Sequence, residues 1–254
     1  MLAVRELTKS FNGAPAVDKV SFAIKPHEVL GYLGPNGSGK TTTVRMLTGL
    51  LPPTAGDIFF DGQDVRHHLV EYKQRLGYVP EEAHVYSYLS GREFLELTGR
   101  LRSMSQPLLE EKIELFLELF ALRRHQHSPL SSYSKGMKQR ILISAALLHN
   151  PDLLIFDEPL SGLDVTSALV FRHIVKLLAG EGKTILYGSH VLEVVEKLCC
   201  SVVILRKGSI VAHNSVERLR DLMKLPSLED VFAQLAVQED PEKVARDVVE
   251  VMKL

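Results

Sequence analysis

An α/β fold is predicted, with a parallel-sheet core, a mixed α/β first lobe and a helical subdomain. Three observations predict it. Short apolar runs at Val29 to Leu33, Leu153 to Phe156, Thr184 to Tyr187 and Val202 to Leu205 are separated by helical stretches, the pattern of a parallel sheet covered by helices. A glycine-rich turn, Gly34 to Gly39, follows the first of these runs and opens a helix. Between about Ser90 and Asn150 the strand signal lapses and apolar residues recur at helical spacing.

Taken in order, Val20 to Ile24 alternates as a strand and Val29 to Leu33 forms a short buried one. Thr41 to Leu50 fits a helix, and Ile58 to Phe60 a strand ended by the turn dipeptide Asp61 and Gly62. The helical subdomain is read from Phe94, Leu95, Leu97 and Leu101, then from Ile113, Phe116, Leu117 and Phe120. After Pro151 the strands return, interleaved with helical stretches at Val165 to Leu178 and Val191 to Leu198. From Ser215 the chain is helical and charged, broken at Pro226 and Pro241. Residues 1–235 are therefore expected to form one domain and residues 236–254 a C-terminal helical tail.

Composition narrows the function classes. With 254 residues, 45% hydrophobic and 24% charged, the chain can bury a full core, which excludes disorder and collagen-like repeats. Thirty Lys and Arg against 31 Asp and Glu give a net charge of −1, so no nucleic-acid partner is expected. No run of about 20 apolar residues marks a membrane span. The first ten residues, with Arg5, Glu6 and Lys9, lack the apolar core of a secretory signal. The two cysteines, Cys199 and Cys200, are adjacent and cannot staple a long loop, which points to a reducing, cytoplasmic compartment.

Gly34, Pro35, Asn36, Gly37, Ser38, Gly39, Lys40 and Thr41, followed by Thr42, fit the phosphate-binding P-loop between a strand and a helix. The glycines let backbone N–H groups converge on a polyphosphate, and the helix turns its positive dipole end toward the same anion. Lys40 is expected at the β- and γ-phosphates and the Thr41 hydroxyl on Mg²⁺. The fold expected is thus that of a P-loop NTPase. Leu153 to Phe156 ends in Asp157 and Glu158. An acid at the end of a buried strand can hold Mg²⁺, directly or through water, and Glu158 is placed to act as general base on an attacking water.

These residues together resemble the nucleotide-binding subunit of an ATP-binding cassette (ABC) transporter, over about residues 2 to 235, which implies a P-loop NTPase with an N-terminal antiparallel β lobe and an inserted helical subdomain. Tyr133, Ser134, Lys135, Gly136 and Met137 stand where the family carries Leu-Ser-Gly-Gly-Gln, with Ser134 and Gly136 kept. The resemblance implies that this segment caps the γ-phosphate held by a second subunit, so that two ATP molecules are sandwiched in a head-to-tail dimer. It implies that Phe11 lies against adenine, although a core phenylalanine would fit as well. It places Glu81 at the position of a glutamine that senses Mg²⁺ and the membrane partner; the glutamate could coordinate the cation or be solvated. Ser161 to Asp164 resembles the loop touching the opposite subunit, and His190, after Gly188 and Ser189, the switch histidine at the γ-phosphate.

The resemblance implies an ATPase using ATP and Mg²⁺, paired with a second ATP-binding subunit as homodimer or heterodimer. It would power a separate integral membrane permease while lying peripherally on the cytoplasmic face. The helical subdomain between Glu81 and Tyr133 is where such subunits dock the permease. Leu228 to Phe232 resembles a short terminal helix of bacterial export and multidrug subunits, which implies an exporter; the same residues also make the apolar stripe of a packed helix. The competing reading is a soluble ABC ATPase acting in assembly or regulation without a permease. A GTPase or kinase is disfavoured by the Ser134 to Met137 segment, by His190 and by the lack of an Asn-Lys-x-Asp run.

Overall fold

The computed structural model describes residues 1–82, 85–236 and 241–252. Two sheets organise it. The N-terminal sheet has the order β2 (Ala14–Ile24), β1 (Leu2–Phe11), β4 (Ala55–Phe60) and β5 (Gln63–Asp64), all antiparallel. The second sheet has six strands, in the order β10 (Ser209–Ser215), β9 (Ser201–Arg206), β3 (Val29–Leu33), β8 (Thr184–Gly188), β7 (Leu153–Asp157) and β6 (Leu76–Val79). Its pairings are parallel except for the edge pair of β10 with β9.

The central strands read as continuous apolar runs because both sheet faces are covered. Every residue of β3, β7 and β8 is buried. Side chains alternate between the faces. Val29, Leu33, Leu154, Phe156, Ile185 and Tyr187 join one core cluster, under α5 (Lys135–Leu147), α6 (Val165–Gly180), α7 (Leu192–Leu198), α8 (Val216–Met223) and α9 (Leu228–Ala236). Leu30, Tyr32, Leu153, Ile155 and Leu186 join the other, packed against the N-terminal sheet and α1 (Lys40–Leu47). The parallel strands thus end side by side on one edge, where loops with chemistry can gather.

The helical subdomain holds a third cluster, in which α3 (Gly91–Leu101) contributes Leu95 and α4 (Gln106–Leu119) contributes Leu109, Ile113 and Leu117. A capping box starts α3: Ser90 Oγ accepts from Glu93 N–H at 3.2 Å while the Glu93 carboxylate accepts from Ser90 N–H at 2.8 Å. Helix α5 is apolar on two sides. Ile141 and Ala145 face the subdomain cluster, and Leu142, Ile143 and Ala146 face the sheet cluster, so α5 joins the two bodies.

Several boundaries differ from the sequence expectation. Strands β1, β6 and β10 were not expected, and β2 starts at Ala14 rather than Val20. Helix α1 stops at Leu47, short of Leu50: the Thr48 hydroxyl donates back to Val44 O at 3.0 Å, and Gly49 turns left-handed at φ 66°. Pro241 begins a helix, α10 (Pro241–Val251), instead of only breaking one, as suits its preset φ. Residues 237–240 and 253–254 of the expected tail, and residues 83–84 of the expected docking region, lie outside the described residues. Among the described residues no helix is long and apolar enough to cross a membrane.

Phe156 is fully buried on β7 and meets Phe171 of α6 edge-on at 5.1 Å. Phe156→Ala should cost about 3–5 kcal/mol through lost burial and a cavity, measured by denaturant unfolding. Leu115→Ala, at an exposed position of α4, should stay within about 0.5 kcal/mol of the parent.

Candidate functional site

Three parallel strands deliver the site. Strand β3 leads into the glycine-rich loop, β7 ends at Asp157 and Glu158, and β8 is followed by Ser189 and His190. The crevice beyond the carboxyl ends of such strands is where α/β sheets bind ligands. Here it is a cavity of about 400 Å³ lined by residues that include Asn36, Lys40, Thr41, Thr42, Glu81, Asp157, Glu158 and His190.

The loop is bent tightly against the N-terminal sheet. Gly39 has φ 102°, and a Cβ there would stand 2.6 Å from the Ala16 carbonyl, so neither the conformation nor the space admits a side chain. This brings the N-terminus of α1 to the cavity wall. Ser38 is buried and its Oγ has no hydrogen-bond partner. Lys40 arches back over the loop, its ammonium donating to the carbonyls of Gly34 and Pro35. Burial lowers its pKa, against the opposing pull of Glu158, Asp157 and Glu81. Gly34, Pro35 and Ser38 therefore shape the loop, while Asn36, Gly37, Gly39, Lys40, Thr41 and Thr42 face the cavity.

Asp157 is only 3% exposed, and its Oδ2 has no partner. Burial first, then the negative charges of Glu81 and Glu158, push its carboxyl up to about 6; Lys40 and Arg45 oppose the shift. Glu158 takes a left-handed backbone at φ 47°, uncommon for a residue with a Cβ and typical of strain held at a site. Its N–H donates to Gly188 O at 3.0 Å, which locks the turn to β8. Its side chain is clasped from the next loop, with Oε1 2.8 Å from His190 Nδ1 and Oε2 accepting from Ser189 Oγ at 3.4 Å. The His190 side chain is otherwise 78% exposed, so it can turn toward the cavity or solvent.

A cation would fit between Thr41, Asp157 and Glu81. The orphaned Asp157 oxygen supplies an unused acceptor, and all three residues line the same cavity wall. Among the described residues no group of three or more His, Cys, Asp and Glu side chains could hold a metal by itself. A hard cation that takes one or two carboxylates and completes its shell from phosphate and water matches this sparse donor set.

Other predicted residues lie elsewhere. Phe11 ends β1, half-exposed, with the Lys9 ammonium 5.5 Å from its ring centre, and it does not line the cavity. Ser134 caps α5, its Oγ accepting from Met137 N–H at 3.2 Å, outside the cavity of its own chain. Gly136 packs on the loop after Glu158: a Cβ there would stand 2.6 Å from Gly162 O, a contact only glycine allows. Two residues were missed. Gln139, buried on α5, donates from Nε2 to Pro159 O at 2.9 Å and ties that loop to the helix. A single amide within a helix that runs on into Ile141 to Leu148 was the available signal. Arg45, one turn after Thr41 on α1, bears on Asp157 and lines an adjoining cavity of about 410 Å³ with Tyr78 and Glu81.

The chain is similar to proteins of known family. Residues 17–161 match the family model described as ABC transporter. The chain is 38% identical over 224 residues to the ABC transporter ATP-binding protein NatA of Bacillus subtilis (strain 168), covering 88% of this chain and 91% of the relative. A solved structure of an ATP binding subunit of an ABC transporter has a TM-score of 0.87 at 30% identity, over 92% of this chain and 99% of the other. The dimeric MJ0796 cassette bound to ADP and Pi shares the fold, with a TM-score of 0.78 at 24% identity over 85% and 98% of the two chains. The chain thus belongs to the ABC transporter family, as an ATP-binding subunit and an ATPase.

Proposed function

We propose that this subunit hydrolyses MgATP to drive a separate membrane permease, in the direction of export, as one half of a head-to-tail pair. The observation that carries the catalytic part is the convergence of Lys40, Thr41, Asp157, Glu158 and His190 on one cavity. The loop N–H groups and Lys40 hold the β- and γ-phosphates, with Lys40 leaving the carbonyls of Gly34 and Pro35 to do so. Thr41 and Asp157, with Glu81 beside them, hold Mg²⁺. When bound, Mg²⁺ supplies positive charge to the phosphate oxygens and to the orphaned Asp157 carboxylate.

Glu158 accepts a proton from the attacking water as general base. His190 and Ser189 orient its two oxygens, and the ring then turns from Glu158 to the γ-phosphate. Ser134 and Gly136 serve the nucleotide of the opposing subunit, a reading supported by their position outside their own cavity. Phe11 presents its exposed face to adenine. The dimer described for MJ0796 supports the pairing by fold likeness.

The permease is proposed to dock on the surface from Glu81 to Arg102, which would hold the subunit on the cytoplasmic face of the membrane. Tyr86 and Tyr88 are exposed there as a tilted ring pair 6.0 Å apart, and the Glu81 end lines the cavity with Thr41 and Asp157. Export rests on the likeness of Leu228 to Phe232 to the terminal helix of export subunits.

Glu158→Gln removes the base and keeps the shape. It should bind MgATP with unchanged affinity and hydrolyse it at least about a hundredfold more slowly, checked by equilibrium binding and phosphate release. Hydrolysis near the parent rate would remove Glu158 from the chemistry. Docking is checked by co-purification from detergent-solubilised membranes: an integral membrane protein should accompany the parent, and Tyr86→Asp with Tyr88→Asp should release it. Absence of any such protein favours a soluble ATPase.

A further inference from the structure

Away from the ATP site, α6 and α7 face each other across a groove of about 200 Å³. Its walls are Leu169, Arg172, His173 and Lys176 from α6 and Lys197 and Leu198 from α7. Three of these six side chains are fixed cations and a fourth is an imidazole, in a chain whose net charge is only −1. The groove is thus locally basic.

The acids nearby offset this charge only in part, with Glu193 acting on Lys197 and, at longer range, on Arg172. Glu193, one turn before Lys197, bonds its ammonium at 2.6 Å on an exposed face and takes up one of the three cations. Glu196 points to another partner, accepting from Arg220 Nη1 at 3.0 Å. Arg172 and Lys176 stand one turn apart on α6 and have no carboxylate within ion-pair distance among the described residues. Leu169 and Leu198 add an apolar floor beside the solvent-facing cations. A volume of about 200 Å³ suits a phosphate group with a small substituent rather than a folded partner.

We propose that this groove is a second anion site, binding a phosphate-bearing molecule through Arg172 and Lys176, with the Glu193-paired Lys197 at its opposite wall. Arg172 offers a planar fork that suits phosphate oxygens, and Lys176, one turn on, adds a point charge beside it. The ligand's phosphate could belong to a small metabolite or to the headgroup of an anionic lipid. The site lies between the two helices that follow the Glu158 loop and His190, since α6 is capped by Asp164 and α7 starts at Leu192. Its occupant would therefore bridge two elements leaving the catalytic edge.

The test uses the full chain carrying Lys40→Ala, so that the phosphate loop contributes little, and titrates inorganic pyrophosphate by calorimetry. Saturable binding is expected, weakened at least about tenfold when Arg172→Gln and Lys176→Gln are added, and weakened by raised salt as surface charge demands. In a parallel arm the parent chain is sedimented with vesicles of phosphatidylglycerol or of phosphatidylcholine. Retention by phosphatidylglycerol alone, lost in Arg172→Gln with Lys176→Gln, would assign the phosphate to a lipid; pyrophosphate binding alone would assign it to a soluble molecule. The two substitutions lie outside the ATP cavity, so ATPase activity of the otherwise unaltered chain carrying them should stay within about twofold and confirm folding. Absence of binding in both arms, binding untouched by the two substitutions, or retention of polyglutamate in place of both phosphate probes would overturn the proposal.

Discussion

A carboxylate buried at the end of an apolar strand, with no partner for one of its oxygens, is the constraint on which the rest of the site depends. Asp157 closes β7, whose other four residues are Leu153, Leu154, Ile155 and Phe156, all fully buried. The strand is held between β6 and β8 and packed on both faces, so Asp157 cannot swing out to water. Its negative charge is offset by Lys40 and Arg45 on α1, and is worsened by Glu81 and Glu158. Such an arrangement is unfavourable without a compensating positive charge, which the proposed Mg²⁺ and its polyphosphate would supply.

The same tight packing links this edge to the helical subdomain. Helix α5 lies between the sheet and the subdomain core, and its buried Gln139 bonds the carbonyl of Pro159, one residue after Glu158. A turn earlier Gly136 rests on Gly162, whose loop leads to the Asp164 cap of α6. A displacement of the subdomain therefore reaches the loop carrying Glu158 through two direct contacts. This gives a physical route by which events on the subdomain surface can bias the chemistry, since both act on one packed element.

Most residues lining the cavity were legible in the sequence because their signals are local. The P-loop spacing from Gly34 to Thr41 and the run from Leu153 into Asp157 and Glu158 each state their chemistry within a few residues. The antiparallel lobe was harder to trace strand by strand. Strand β1 breaks its alternation at bulges between Val4 and Lys9, with Arg5 and Glu6 both exposed, so period-two counting fails. Strand β10 lies at the sheet edge with no fully buried residue, and β6 has only four residues, one of them Gly77. Gln139 and Arg45 escaped notice because their roles depend on contacts across the fold, which no spacing along the chain records. The clasp of Glu158 by His190 and Ser189 was hidden for the same reason.

The claim that Asp157 is held at a cost for the sake of a bound cation is tested most directly by the thermal stability of Asp157→Asn against the parent, without nucleotide, from about pH 4 to 8. Burial and the charges of Glu81 and Glu158 push the folded carboxyl up to about 6, from 3.8 for an ordinary aspartate. Because the folded value is raised, the contribution of this group to stability is present below about pH 4 and is lost as pH rises through about 6. The shift corresponds to on the order of 3 kcal/mol. At about pH 7.5 the asparagine variant should therefore melt several degrees above the parent, about 5 °C or more, with the difference vanishing toward about pH 4. MgATP should stabilise the parent far more than the variant. A variant that melts below the parent under the same neutral conditions, or a difference that does not change with pH, would contradict the account.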